Sequence, residues 1–238
     1  MSKTVEISGT MLGVETFNDP IRAKDTIVYL PYMGDEAEAV AAQCRTLCTK
    51  PFILVAVTVE NWNDNLTPWR CEGIFADDAP FAGKAEAQLA SLERNIKAFE
   101  SKYKLTPSHR IIAGYSLAGL FAAWAPFHTA LFDAVASASG SLWYPGFSEY
   151  VQQHNLMRPL DAAYFSLGSK EAKTPSRLLR NVNKGTEAVM KAFESKGVPT
   201  FFEKNPGNHF KEPDLRMAKA IAWTVNSLSE YRKEGCTE

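Results

Sequence analysis

The chain has 238 residues, 45% of them hydrophobic, and its 26 basic and 27 acidic side chains leave a formal net charge of −1. This size and apolar content suit a single α/β domain over residues 1–238, with a polar carboxyl-terminal tail from about residue 229. The near-neutral charge gives no electrostatic footprint for nucleic acid, and no apolar run is long enough to span a membrane.

The amino terminus and the cysteines predict a cytoplasmic protein. The first six residues lack the apolar core of a signal peptide. Cys44, Cys48, Cys71 and Cys236 do not form a dense disulfide framework, and no Cys or His pair has the spacing of a zinc finger. Cys44 and Cys48 are expected one turn apart in a helix. We therefore expect reduced thiols, no metal and no cofactor, and the sequence leaves the oligomeric state open.

Seven apolar runs predict β-strands along the chain. In order they cover residues 5–8, 26–30, 52–58, 110–113, 134–139, 162–167 and 200–203. Most of these runs are continuous rather than alternating, which is typical of strands covered on both faces. Apolar stripes at helical spacing follow, over 89–103, 179–193 and 217–228. Alternating strands and helices predict an α/β fold, with a mostly parallel central sheet and helices on both faces.

One connecting segment, residues 61–82, is rich in Pro, Gly, Asn and Asp. It is too irregular for a regular element and too long for a plain connector. Long loops of this kind often carry the functional site, so we expect the segment to border it.

The sequence Gly-Tyr-Ser-Leu-Ala-Gly at 114–119 follows one predicted strand and opens directly onto an apolar helical pattern. This strand, sharp turn and helix are the context of a nucleophile elbow, in which a strained serine presents its hydroxyl above the sheet edge. Ala118 stands where the pattern usually has Gly, and it is small enough for the helix and strand to cross closely. Ser116 is therefore the predicted nucleophile.

A serine hydroxyl needs a base, and the chain has four histidines. His109 precedes the elbow strand, His128 lies at the end of the helix behind the serine, and His154 is in a polar, surface-like stretch. His209 follows the last strand, in a loop at the carboxyl edge of the sheet, where ligands bind in open α/β folds. This elimination predicts His209 as the base.

The carboxylate that orients the base should follow the preceding strand. Glu171 is the acidic residue in the stretch after residue 167, so it is the predicted acid. Asp214 is the alternative, although its place favours a role at the start of the last helix. Asp133 and Asp161 precede strands and are expected at the opposite edge.

An acyl-transfer site also needs donors for the oxyanion of the tetrahedral intermediate. The backbone N–H of Leu117, directly after the nucleophile, is the first candidate. The second is expected from the turn after residue 30, where Met33 is chosen and Tyr32 remains an alternative.

Aromatic residues in two of the loops are candidates for the wall of the pocket. Trp62, Trp69 and Arg70 lie in the irregular segment, and Trp143 and Tyr144 follow the strand after the elbow. Trp69, Arg70, Trp143 and Tyr115 are the predicted substrate-binding residues. Core packing is the alternative role of the tryptophans.

Taken together, these motifs resemble the enterobactin esterase and esterase D branch of the α/β hydrolases, over most of the chain. The segments that carry the resemblance are 66–69, 114–119, 139–143, 168–171 and 207–209, which occur in the order of the family's landmarks. The resemblance implies the α/β-hydrolase fold, with a mostly parallel central sheet and helices on both faces, and a serine hydrolase with Ser116, Glu171 and His209 as its triad. It does not fix the substrate, because the branch includes enzymes for lactones, thioesters and carbohydrate esters.

Three functions remain compatible with the sequence. The leading one is a serine esterase that forms an acyl-enzyme on a small-molecule ester, lactone or thioester. The alternatives are an acyltransferase that uses the same triad and a hydrolase-fold protein that binds without catalysis.

The sequence also predicts the shape of the substrate site. Residues 61–82 and Trp143 should cover an open cleft above Ser116, not a deep tunnel.

Overall fold

The computed structural model describes residues 3–75 and 77–228, so the predicted polar tail lies outside the described residues. Eight strands of the described chain form one sheet in the order β1-β2-β4-β3-β5-β6-β7-β8. The strands are β1 (Lys3–Ile7), β2 (Thr10–Phe17), β3 (Thr26–Tyr32), β4 (Phe52–Thr58), β5 (His109–Tyr115), β6 (Ala134–Ala138), β7 (Ala162–Gly168) and β8 (Thr200–Asn205). β1 and β2 run antiparallel to their neighbours, and the other six strands are parallel.

The described chain has seven α-helices, most of which pack on the two faces of this sheet. They are α1 (Glu36–Leu47), α2 (Trp62–Asn65), α3 (Ala85–Tyr103), α4 (Leu117–Trp124), α5 (Phe147–Gln153), α6 (Val182–Ser195) and α7 (Pro213–Ser227). Apolar residues of α1 and α7 form one buried cluster with the sheet. Those of α3, α4, α5 and α6 form a second, larger cluster on the other face. The predicted α/β-hydrolase fold, with a mostly parallel sheet between helices, is confirmed.

All seven predicted strands overlap a strand of the structure, and the difference lies at the amino-terminal end of the sheet. Strand β2 was not predicted, because the polar residues Thr10, Glu15 and Thr16 and the glycine Gly13 interrupt its apolar pattern. It is held instead by antiparallel pairing with β1 and β4. The expectation that Cys48 is helical was also wrong. Helix α1 ends at Leu47, and Cys48 follows in an extended conformation while its N–H still reaches the Cys44 carbonyl at 2.9 Å.

Parallel strands bring the predicted site residues to one edge of the sheet. Ser116 follows β5, Glu171 follows β7 by three residues, and His209 follows β8 by four. Carboxyl ends of parallel strands share an edge, so residues far apart in sequence meet there. Over the described ranges, no helix has the length and apolarity needed to cross a membrane.

Candidate active site

Ser116 occupies a strained turn between β5 and α4, with φ 57° and ψ −121°. Residues with a side chain rarely adopt positive φ, and such strain persists where the surrounding structure holds it in place. A Cβ atom on Gly114 would lie 2.2 Å from the Ala118 carbonyl oxygen and 2.8 Å from the Ala118 Cβ. Gly114 therefore permits the close crossing, and Ala118 is accommodated because it faces a residue without a side chain.

The three predicted polar residues form one hydrogen-bonded chain. His209 Nε2 lies 3.0 Å from Ser116 Oγ, and His209 Nδ1 lies 2.9 Å from Glu171 Oε2. Both distances are within the limit of about 3.5 Å expected for a nucleophile, its base and an orienting acid. In this geometry the hydroxyl can donate to Nε2 while Nδ1–H donates to the carboxylate.

Glu171 is buried, with a side chain 4% exposed. Its Oε1 accepts hydrogen bonds from the Gly168 N–H at 2.5 Å and from the Ser139 hydroxyl at 2.8 Å, which leaves Oε2 for the histidine. Burial favours the neutral acid, but the hydrogen bond and charge of His209, the Gly168 N–H and the Ser139 hydroxyl outweigh it and lower the pKa of Glu171. The residue is thus held as a carboxylate.

The alternative acid, Asp214, and the three other histidines make their contacts away from the Ser116 hydroxyl. Asp214 is in the first turn of α7 and accepts a hydrogen bond from Gln43 Nε2 at 3.2 Å. His128 stacks on Trp124 with ring centroids 3.9 Å apart. His154 packs on Tyr150, and His109 begins β5 at the opposite edge of the sheet.

Of the two predicted oxyanion donors, Leu117 lies beside the nucleophile. It is the first residue of α4 and lines the same cavity as Ser116. N–H groups in the first turn of a helix have no acceptor within the helix, so this one is available to a ligand. Met33 follows β3 with about half of its surface exposed, and it is outside the lining of that cavity, so its role stays a prediction.

A cavity of about 260 Å³ adjoins Ser116, His209 and Glu171. Its other walls are mainly apolar side chains, namely Trp62, Ile74, Phe81, Trp143, Leu179, Val182 and Phe210. Three of these come from the irregular segment 61–82, which therefore does border the site. A second connection, between β7 and α6, also contributes to the wall, and the sequence did not indicate it.

The four predicted substrate-binding residues have different positions. Trp143 lines the cavity and packs against Phe81 with ring centroids 6.3 Å apart. Trp69 lies outside the lining and donates its indole N–H to the Pro145 carbonyl at 3.0 Å. Arg70 is exposed and also outside the lining. Tyr115 donates its hydroxyl to the His209 carbonyl at 2.6 Å, so it contacts the histidine backbone.

A basic segment borders the cavity. Residues 170–184 supply Glu171, Leu179 and Val182 to the lining and carry five exposed cationic side chains, Lys170, Lys173, Arg177, Arg180 and Lys184. Within the described chain, none of these five makes a salt bridge. We call them the basic rim. Because the whole protein has a net charge of −1, this rim is a local concentration of positive charge in a segment that supplies part of the cavity wall.

Two serines near the nucleophile were missed as functional residues. Ser139 follows β6 with φ 44° and donates its hydroxyl to Glu171, and Ser141 Oγ lies 3.5 Å from Ser116 Oγ. Both follow a strand that ends at the same edge as β5. Glu171 and His209 were located because polar residues that follow parallel strands meet at the carboxyl edge of the sheet. The same reasoning could have indicated Ser139 and Ser141.

One group of residues in the described chain has the spacing of a metal site. His109, Asp133 and Asp161 lie at the amino ends of their strands, on the opposite edge from Ser116. Asp133 already accepts from the Arg110 N–H at 2.7 Å and pairs with Arg158 at 3.0 Å. These contacts favour a structural role.

The fold and the serine-centred site define a protein with the α/β-hydrolase architecture. No family model matches the chain. It is similar to an uncharacterised protein, YbbA, of Bacillus subtilis, with 26% identity over 180 residues and 72% of each chain covered.

Two solved structures share this fold over nearly the whole chain. The siderophore hydrolase EstA from Aspergillus nidulans has a TM-score of 0.71 at 16% identity, covering 96% of this chain and 95% of EstA. An IroE-like serine hydrolase from Shewanella oneidensis has a TM-score of 0.72 at 16% identity, covering 94% of this chain and 79% of that one. The resemblance predicted from the sequence is thus confirmed for the fold.

Proposed function

We propose that this protein is a serine esterase that cleaves a carboxylic ester, lactone or thioester through an acyl-enzyme. The observation that carries the proposal is the chain from the strained Ser116 through His209 to the buried Glu171, with contacts of 3.0 and 2.9 Å. A structural role would not require a buried carboxylate, a histidine and a serine to be aligned beside an apolar cavity.

The first half of the reaction acylates the serine. Ser116 Oγ attacks the carbonyl carbon while His209 Nε2 takes the hydroxyl proton, and Glu171 stabilises the imidazolium. The Leu117 N–H stabilises the oxyanion. When the tetrahedral intermediate collapses, the bond to the leaving oxygen or sulfur breaks, and the imidazolium gives its proton to that atom.

Water completes the cycle. His209 takes a proton from a water molecule as the water attacks the acyl carbon, and the second intermediate releases the carboxylic acid and restores the Ser116 hydroxyl. An acyltransferase would replace this water with another acceptor, and it remains the alternative. Product analysis in the presence of added alcohols separates the two, because transfer would give a new ester in place of the acid.

The substrate class is proposed from the neighbours and from the site. The two solved structures are a siderophore hydrolase and an IroE-like serine hydrolase, which support an ester or lactone bond of a siderophore as the target. The aromatic wall formed by Trp62, Phe81 and Trp143 suits a compact aromatic or apolar group.

We expect short acyl groups or compact aromatic esters to be preferred over long acyl chains. A cavity of about 260 Å³ has little room for a long chain, and methylenes left in water forfeit about 0.8 kcal/mol each of transfer free energy. The test is kcat/KM for p-nitrophenyl esters of increasing chain length. A profile that still rises beyond about ten carbons would show a tunnel and contradict the open-cleft prediction.

The basic rim should favour esters that carry a negative charge. We expect the p-nitrophenyl monoester of adipic acid to show a higher kcat/KM than its methyl-capped, neutral counterpart, and the preference should shrink by at least about threefold as salt screens the rim. Arg177→Glu should reduce the preference, and Lys102→Glu, on the exposed end of α3, is the control. Equal salt dependence of both esters would contradict a steering role for the rim.

A further inference from the structure

A buried arginine lies behind the proposed triad. Arg216, in the first turns of α7, is 2% exposed and is among the largest fully buried side chains of the described residues. Arginine is rarely buried in full unless partners surround its charge, because removing a guanidinium from water is unfavourable. Its contacts therefore indicate what the burial maintains.

One nitrogen of the guanidinium faces the acid. Nη1 lies 3.2 Å from Glu171 Oε1 and 3.2 Å from the Ser139 hydroxyl, with the Tyr115 hydroxyl at 3.4 Å. It binds the carboxylate oxygen that His209 does not use, since the histidine is bonded to Oε2.

The other nitrogen faces the loop that carries the base. Nη2 donates to the Pro206 carbonyl and to the Asn208 carbonyl, each at 2.9 Å. Asn208 directly precedes His209, so these two hydrogen bonds fix the loop just before the imidazole. The loop follows the last strand, and loops at such positions move unless their backbone is held.

The space around the guanidinium is closely fitted. A Cβ on Gly168 would lie 2.8 Å from Arg216 Nη1 and 2.6 Å from the Gly207 carbonyl oxygen. Glycine at this position thus lets the end of β7, the histidine loop and the guanidinium come together.

We propose that Arg216 is a positioning residue that holds Glu171 and the His209 loop as one unit, so that the base is aligned with the nucleophile. The role rests on the proposed function and adds a residue to it. Arg216 makes no hydrogen bond to the Ser116 or His209 side chain, and it acts through the acid and the loop backbone.

The charge of Arg216 has a second effect. The groups that face the imidazole are Glu171, the Ser116 hydroxyl, the Tyr115 ring and Phe210, and Lys211 is in the same loop. Glu171 is the anion among them, and Arg216 partly compensates its charge. Removing this cation should strengthen the field of the carboxylate at the imidazolium, so the acid limb of the kcat/KM profile should move to higher pH.

Two substitutions separate the hydrogen-bonding role of Arg216 from the effect of its charge. Arg216→Lys keeps the positive charge but cannot reach the carboxylate and both carbonyls with one ammonium. We expect kcat to fall about 100-fold with KM within about threefold, because a small displacement of the base impairs the chemical step more than binding. The acid limb should stay in place. Arg216→Met should lose a similar factor in kcat and also shift the acid limb upward.

Arg158→Met is the matched control. Arg158 pairs with the buried Asp133 at 3.0 Å on the opposite edge of the sheet, so its loss destabilises the protein without touching the site. The melting temperature should fall, but kcat per folded molecule and the pH profile should match those of the wild type.

The outcomes are separable from those for the proposed function. A wild-type protein without esterase activity, or activity that survives Ser116→Ala, would contradict the function itself. With that activity established, an Arg216→Lys protein with wild-type kcat would overturn the positioning role. An Arg216→Lys protein that does not fold would also overturn it. The same holds if the activity lost in Arg216→Lys, Arg216→Met and Arg158→Met is in each case explained entirely by the fraction of protein that is unfolded.

Discussion

Ser116→Ala should lower kcat on a short-chain ester by roughly 10⁴-fold or more while the protein remains folded. The substitution removes the attacking atom but leaves the Leu117 donor and the cavity, which account for the residual rate. The Ser116 hydroxyl contacts His209 at 3.0 Å and Ser141 at 3.5 Å, so its loss removes few interactions that stabilise the fold. The measurement is kcat with p-nitrophenyl acetate, together with the melting temperature.

Ser141→Ala is the informative companion variant. Ser141 carries the neighbouring hydroxyl and lines the same cavity, but this hydroxyl contacts that of Ser116 and not the His209 side chain. We expect it to lose less than about tenfold in kcat, as for a residue without a direct part in proton transfer. A folded Ser116→Ala protein that keeps most of its activity would remove the central claim, and a larger loss in Ser141→Ala would move the nucleophile there.

Glu171→Gln should lower kcat by roughly 10³-fold or more. An amide cannot stabilise the imidazolium by charge, and its NH₂ group next to Nδ1 favours the tautomer that carries its proton on Nε2. That tautomer cannot accept the proton of Ser116. The measurement is kcat across the pH range in which the wild-type enzyme is active.

Asp214→Asn is the matched control for this prediction. Asp214 contacts Gln43 across the α1–α7 packing, so the same carboxylate-to-amide change there should leave kcat within about threefold. If Asp214→Asn impaired kcat strongly and Glu171→Gln did not, the acid would have to be reassigned.

The parallel part of the fold could be predicted because most of its strands are buried on both faces and form continuous apolar runs in the sequence. Strand β2 could not, since Thr10, Gly13, Glu15 and Thr16 interrupt its apolar pattern and its burial follows no regular alternation. Its place beside β4 depends on pairs that are 35 residues apart (Phe17 with Phe52) to 45 residues apart (Leu12 with Val57) in sequence, which no local pattern encodes.

The proximity of Ser116, His209 and Glu171 could be predicted because the sheet topology determines most of their placement. Once the elbow fixes the carboxyl edge, a histidine and a carboxylate that follow later parallel strands must lie near it. The wall of the cavity was harder to predict. Trp69 and Trp143 are the same residue type in neighbouring loops, yet a hydrogen bond to Pro145 holds Trp69 outside the lining. The buried position of Arg216 could not be predicted, because an arginine in an amphipathic helix is normally expected on the exposed face.

The most direct test of the serine esterase is covalent labelling with a fluorophosphonate, followed by mass spectrometry of the peptides. Such reagents phosphonylate a serine hydroxyl that a neighbouring base activates. We predict one adduct, on Ser116, that is absent in Ser116→Ala and much slower to form in His209→Ala, while Asp214→Asn labels at the wild-type rate. No adduct on the folded wild-type protein, or an adduct on a different serine, would contradict Ser116 as the nucleophile.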